Sequence, residues 1–172
     1  NKTYDATALT NSEVSIDGLA EGESVTLATT GTITDVGSTP NTYSIDWTGA
    51  KAGNYSVTND LGTLEVTRKT ITLTAEAASK TYGDADPTFV ANFGEGDLEG
   101  EDSIEVTFTR EEGQDVGTYK VTPVASDSNY TIEIVPSTLT ITQRPVTITT
   151  GSGNKTYDAT ALTNSEVSID DS

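Results

Sequence analysis

The chain has 172 residues, no Cys and no His, and 27 acidic against 9 basic side chains, for a net charge of −18. Without His or Cys there is no Ser-His-Asp triad, no thiolate nucleophile and no zinc site of nitrogen and sulfur ligands. Such acidity repels phosphate backbones and anionic lipid, and no apolar run approaches the ~18 residues of a transmembrane helix, so neither nucleic acid nor membrane insertion is expected.

The chain opens on NKTYDATALTNSEVSID, Asn1 to Asp17, which returns letter for letter as Asn154 to Asp170. The chain is therefore one period of 153 residues of a tandem array plus the opening of the next. Within the period a weaker repeat runs. KTYD at Lys2 matches KTYG at Lys80 and KTYD at Lys155, steps of 78 and 75 residues. In chain order GLAEGESV (Gly18 to Val25) matches DLEGEDSI (Asp97 to Ile104), TDVG at Thr34 matches QDVG at Gln114, NYSV at Asn54 matches NYTI at Asn129, and GTLEVTRK at Gly62 matches STLTITQR at Ser137. Two related modules alternate: A over 1–68, B over 69–144, and the first strand and opening of the next A over 145–172. A short period of this kind marks strung repeats.

Strands are predicted nearly throughout. In module A, Val25 with Leu27, then Tyr43 with Ile45 and Trp47, then Leu64 with Val66 alternate with polar residues. In module B the same holds for Ile71, Leu73 and Ala75, for Ile104, Val106 and Phe108, for Tyr119 with Val121, and for Leu139 with Ile141. Period-two alternation of β-branched and aromatic residues marks half-buried strands. Turn residues such as Asp17-Gly18, Asn59-Asp60 and Glu112-Gly113 separate the runs. Only Asp97 to Ser103 and its counterpart around Leu19 to Ser24 suit a helical turn, so the fold class is all-β or very nearly so. Gly37 and Gly117 suit hairpin positions with positive φ.

LEVTRKTITLT (Leu64 to Thr74) and LTITQRPVTIT (Leu139 to Thr149) run from one module into the next with no Gly/Ser spacer, unlike a flexible linker. Val66 and Ile71 are five apart, as are Ile141 and Val146, and an odd step moves the apolar side to the opposite face of an extended chain. Each core is therefore expected to end near its junction, giving a semi-rigid rod of domains meeting end to end. Module A starts at Asn1, past the point where its own first strand belongs; that strand occurs as Pro145 to Gly153. An exposed edge invites pairing, and Val146, Thr147, Ile148 and Thr149 are expected to complete module A of a neighbouring molecule.

KTYGDADPTF at Lys80, DVGTYKV at Asp115, SNYTIEI at Ser128 and TLTIT at Thr138 resemble the MBG-type repeat domains of the YGX subtype, found in large bacterial surface and secreted adhesin-like proteins. Module A, with KTYDATALT, resembles the sister subtype that opens KTYDGT. Ala6 stands where that subtype has Gly, and Gly37 to Asn41 lengthens a hairpin. The resemblance implies small β-grasp-like domains in tandem outside the cell, with a spacing or presenting role and no shared catalytic residues; Ig-like β-sandwich modules are the alternative architecture. The function expected is a stalk of a bacterial cell-surface adhesin, not an enzyme, with no cofactor. Its partners are neighbouring repeats, or by the rival reading a host glycan or glycoprotein, or a head-to-tail copy of itself.

Residues with other candidate roles are read mainly as structural. The rings of Tyr4, Tyr82 and Tyr157 are expected to cover the end of a core with their hydroxyls wet. Acidic loops at Asp17 to Glu23, Asp84 to Asp86 and Glu95 to Asp102 offer oxygen ligands for calcium, but none follows the spaced D-x-D-x-D-G pattern. Lys120, placed outward by alternation, is a poor partner for an isopeptide bond, and the phase of Trp47 with Tyr43 and Ile45 makes it a core residue.

Overall fold

The computed structural model describes residues 1–171, the last four by their backbone alone. Among the described residues fourteen strands are formed: β1 (Lys2–Thr3), β2 (Ser24–Thr29), β3 (Gly37–Pro40), β4 (Tyr43–Gly49), β5 (Thr63–Thr67), β6 (Lys69–Ala75), β7 (Ala78–Thr81), β8 (Ala91–Phe93), β9 (Thr107–Arg110), β10 (Gly117–Val124), β11 (Tyr130–Val135), β12 (Ser137–Thr142), β13 (Val146–Thr150) and β14 (Val167–Asp171). The one helical piece among the described residues is a single 3-10 turn, Ala52–Asn54. The fold is all-β, as the alternation predicts. Asp97 to Ser103 contains turns and no helix.

Module B folds as two sheets, β7-β12-β10-β9 and β11-β6-β8. The first strand, β6, is central: it pairs in parallel with β11 and antiparallel with β8. Its alternate residues Ile71, Leu73 and Ala75 are all buried. Module A repeats part of this plan. β1 and β5 pair in parallel as β7 and β12 do, and Gly37 faces Val66 as Gly117 faces Ile141. Gly37 to Pro40 is thus strand, not a lengthened hairpin, and the extra residues are absorbed where the chain breaks between β3 and β4. β2 and β4 form a separate two-stranded sheet.

The expectation that each core ends at the junction does not hold. Val66 and Ile71 belong to one buried cluster with Tyr4 and Tyr130, packed against Leu9, Ile33 and Val36 of module A and Phe93, Leu98 and Ile132 of module B. Only Arg68 separates β5 from β6. Despite the odd spacing, Val66 and Ile71 meet in one cluster with the two tyrosine rings, and the two cores share a wall. A second cluster, Val121, Leu139 and Ile141 with Phe89 and Phe108, lies within module B.

Gly117 does not take a positive φ; Gly113 does, at 146°. A Cβ at Gly113 would lie 2.1 Å from Cε1 of Tyr119, so the ring lies directly on the glycine backbone.

Candidate functional site: a tyrosine joint and an open groove

Tyr4 leaves β1 at a point held by its N–H, which donates to the carbonyl of Thr67 at 2.9 Å. This directs its ring across the junction onto Tyr130, edge to face, with centroids 5.4 Å apart and planes at 81°. Both hydroxyls donate to the same oxygen of Asp102, Tyr4 at 2.9 Å and Tyr130 at 2.6 Å. The Tyr130 oxygen also accepts from the N–H of Glu99 at 2.8 Å. A buried hydroxyl without a partner costs ~1–3 kcal/mol, so one carboxylate satisfying two makes the joint selective for tyrosine on both sides. The expectation of a wet hydroxyl is corrected for Tyr4, which is 4% exposed. Burial and, next, the hydrogen bond to Asp102 raise the pKa of both phenols above its ordinary value.

A second contact flanks the rings. The Val36 N–H donates to Asn129 Oδ1 at 2.9 Å, and Asn129 Nδ2 donates to Asp35 at 3.2 Å. Asn129 therefore joins the modules. Its signal in the sequence was the recurrence of Asp-Val-Gly and Asn-Tyr in both modules, which no single module explains.

Several carboxylates of the acidic loops are engaged within the protein. Asp86 accepts from Lys80 at 2.8 Å and Arg110 at 2.5 Å, and these cations, Lys80 foremost, hold its carboxyl below the usual range. Asp84 pairs with Arg144. Glu99 pairs with Lys69 at 2.6 Å. Asp97 accepts the N–H groups of Thr72 and Gly94, both at 3.0 Å. Each candidate calcium ligand named here therefore carries a local structural load. Lys120 is exposed, as alternation requires.

Module A holds the counterpart of the Tyr130 site. The Ala20 N–H donates to the Tyr55 oxygen at 3.0 Å, and the Tyr55 hydroxyl donates to Glu23, as Glu99, Tyr130 and Asp102 do in module B. The Glu23 contact raises the Tyr55 pKa. Trp47 stacks on Tyr55 at 5.5 Å and 25°. It is half-buried rather than fully in the core, because it faces a groove of about 970 Å³ whose walls include Val14, Ile16, Leu27, Ile45 and Val57. The four residues singled out at the far end, Val146 to Thr149, lie on β13, which pairs with β14; Val146 is 60% and Ile148 70% exposed. No contact between β13 and the groove is formed within the chain among the described residues.

Among the described residues no helix is long and apolar enough to cross a membrane. No curated protein and no solved structure matches the chain. The family model of the MBG domain (YGX type) matches residues 71–140, so the module that contributes Tyr130, Asp102 and β6 is similar to an MBG domain.

Proposed function

We propose that this chain is a stalk segment of a bacterial cell-surface or secreted adhesin, a spacer that holds a functional tip away from the cell, and that it is not an enzyme. The observation that carries this reading is the Tyr4–Tyr130–Asp102 joint, which fastens one module to the next through a shared core and a one-residue connection. Asp84, Asp86, Asp97 and Glu99, which elsewhere would be candidates for binding, are occupied in holding turns and strands. The 17-residue identity of the two copies fits a part selected for repetition.

A rival reading has the modules themselves bind host glycoprotein or glycan, and the stacked Trp47 and Tyr55 beside the groove favour it. The two separate cleanly. On cells carrying the full-length protein, removing whole periods should lower the height of the tip while leaving its adhesive chemistry unchanged. Specific binding of the isolated repeat to a glycan or mucin array would overturn the spacer reading.

A further inference from the structure

Module B begins and ends on the same ladder. β6 passes through Glu76 and Ala77, without a turn, into β7, and β11 passes through Pro136 alone into β12. β11 pairs in parallel with β6 from Tyr130 on Lys69 to Val135 on Thr74, and β12 pairs in parallel with β7 from Leu139 on Ala78 to Thr142 on Thr81. The step between partners is 61 residues in both stretches. A single parallel pair therefore joins the first strand of the module to its last, in one register, while it crosses from one sheet to the other. Pro136, which has no N–H to give a ladder, stands at the crossing.

We propose that this pair is a mechanical clamp, and that module B bears tension applied along the chain. Tension enters at Lys69, the start of β6, and leaves at Thr142, the end of β12. Because the two strands are parallel, those points lie at opposite ends of the ladder, and pulling slides one strand along the other. All the pairs then share the load. Antiparallel first and last strands would put both points at one end, where the same load opens the pairs one after another.

Further features oppose the slide. Both loaded strands are interior: β6 also pairs with β8, and β12 also pairs with β10. Their side chains anchor the cores, since Ile71 and Leu73 on β6 and Leu139 and Ile141 on β12 are all buried, and a slide of either strand drags that apolar surface past its neighbours toward water. The ladder is also pinned at both ends. At the first, the Lys69 N–H donates to the Asn129 carbonyl at 3.1 Å and its ammonium pairs with Glu99 at 2.6 Å. At the last, the Tyr82 N–H donates to the Thr142 carbonyl and Arg144 Nε to the Tyr82 carbonyl, both at 2.8 Å. The clamp is a property of module B itself. It goes beyond the stalk reading and holds equally in a chain that binds a ligand through its own modules.

Single-molecule pulling on the whole chain tests the direction of load, and a sequence without Cys lets thiol handles be placed at chosen points. Arg68→Cys/Gln143→Cys draws the module along the ladder, whereas Ala85→Cys/Gln143→Cys draws β12 away from β7 at one end of it. All three positions are exposed, so both variants should melt as the unaltered chain does. Forced unfolding reads the barrier along the pulled direction, and the first variant should withstand a force at least about threefold that of the second at equal pulling speed. Its unfolding should release roughly 200 Å of chain in one step. Equal forces in the two geometries overturn the inference, and so does a first variant that yields in several small steps. Glycan binding by the isolated repeat, which overturns the spacer reading, leaves this result untouched.

Discussion

The same seventeen residues appear at both ends of the chain in different surroundings, and the comparison separates what a sequence encodes locally from what a neighbour supplies. Both copies form the same turn. Lys2 reaches Asp5 at 2.5 Å and Lys155 reaches Asp158 at 2.7 Å, the Thr two residues past each Asp donates its N–H back to it at 2.9 Å, and Ala6 and Ala159 take positive φ values of 58° and 62°. There the likeness ends. Tyr4 is buried, whereas Tyr157 is 90% exposed; Lys2 and Thr3 form a strand and Lys155 and Thr156 do not; Val14 to Asp17 is unpaired and Val167 to Asp170 is paired. Turn geometry travels with the residues, while burial and strand state follow the partner at hand.

Replacing one tyrosine at a time tests that division most severely. Tyr4→Ala should cost about 3–5 kcal/mol in chemical denaturation, since it removes a buried ring and leaves Asp102 with one donor fewer. Tyr157→Ala should stay within about 0.5 kcal/mol. Equal effects would break the comparison. High pH reaches the same joint by another route. Because folding raises the pKa of Tyr4 and Tyr130 above 10.0, their contribution is complete below that value and is lost as pH climbs through the folded-state pKa values. The spectrophotometric titration should show Tyr4 and Tyr130 ionising above the ordinary phenol value, as Tyr55 also does, and Tyr4→Phe should remove one of these late phenols. The smallest effect concerns the turn itself. Ala6→Gly relieves a left-handed alanine and should stabilise module A by about 1 kcal/mol. Ala159→Gly relieves the same strain but should leave the melting of module B unmoved.

Much of the fold was legible because alternation is a local signal. Ile71, Leu73, Leu139 and Ile141 each fall on the face that their period predicts. Tyr4 was misread, since its acceptor lies 98 residues away and KTYD by itself holds no trace of it. The alignment of EGESV with GEDSI did place Glu23 opposite Asp102, yet the acid acquires meaning only beside Asn-Tyr in three dimensions. The shared core at Val66 and Ile71 was hidden for a related reason: spacing fixes which way two side chains point, not what fills the angle between them. The aromatic wall that Trp47 and Tyr55 give the groove of module A could not be read from the alternation.

The single residue between β5 and β6 bears on how such an array scales. Domains strung on flexible linkers explore a coil whose end-to-end distance grows with about the square root of linker length. A junction with no slack, locked by a shared core, has no such freedom to average over. If every junction follows this one, each added period contributes a fixed increment, and reach becomes proportional to copy number. Gain or loss of one 153-residue period would then change the span of the protein by a constant step.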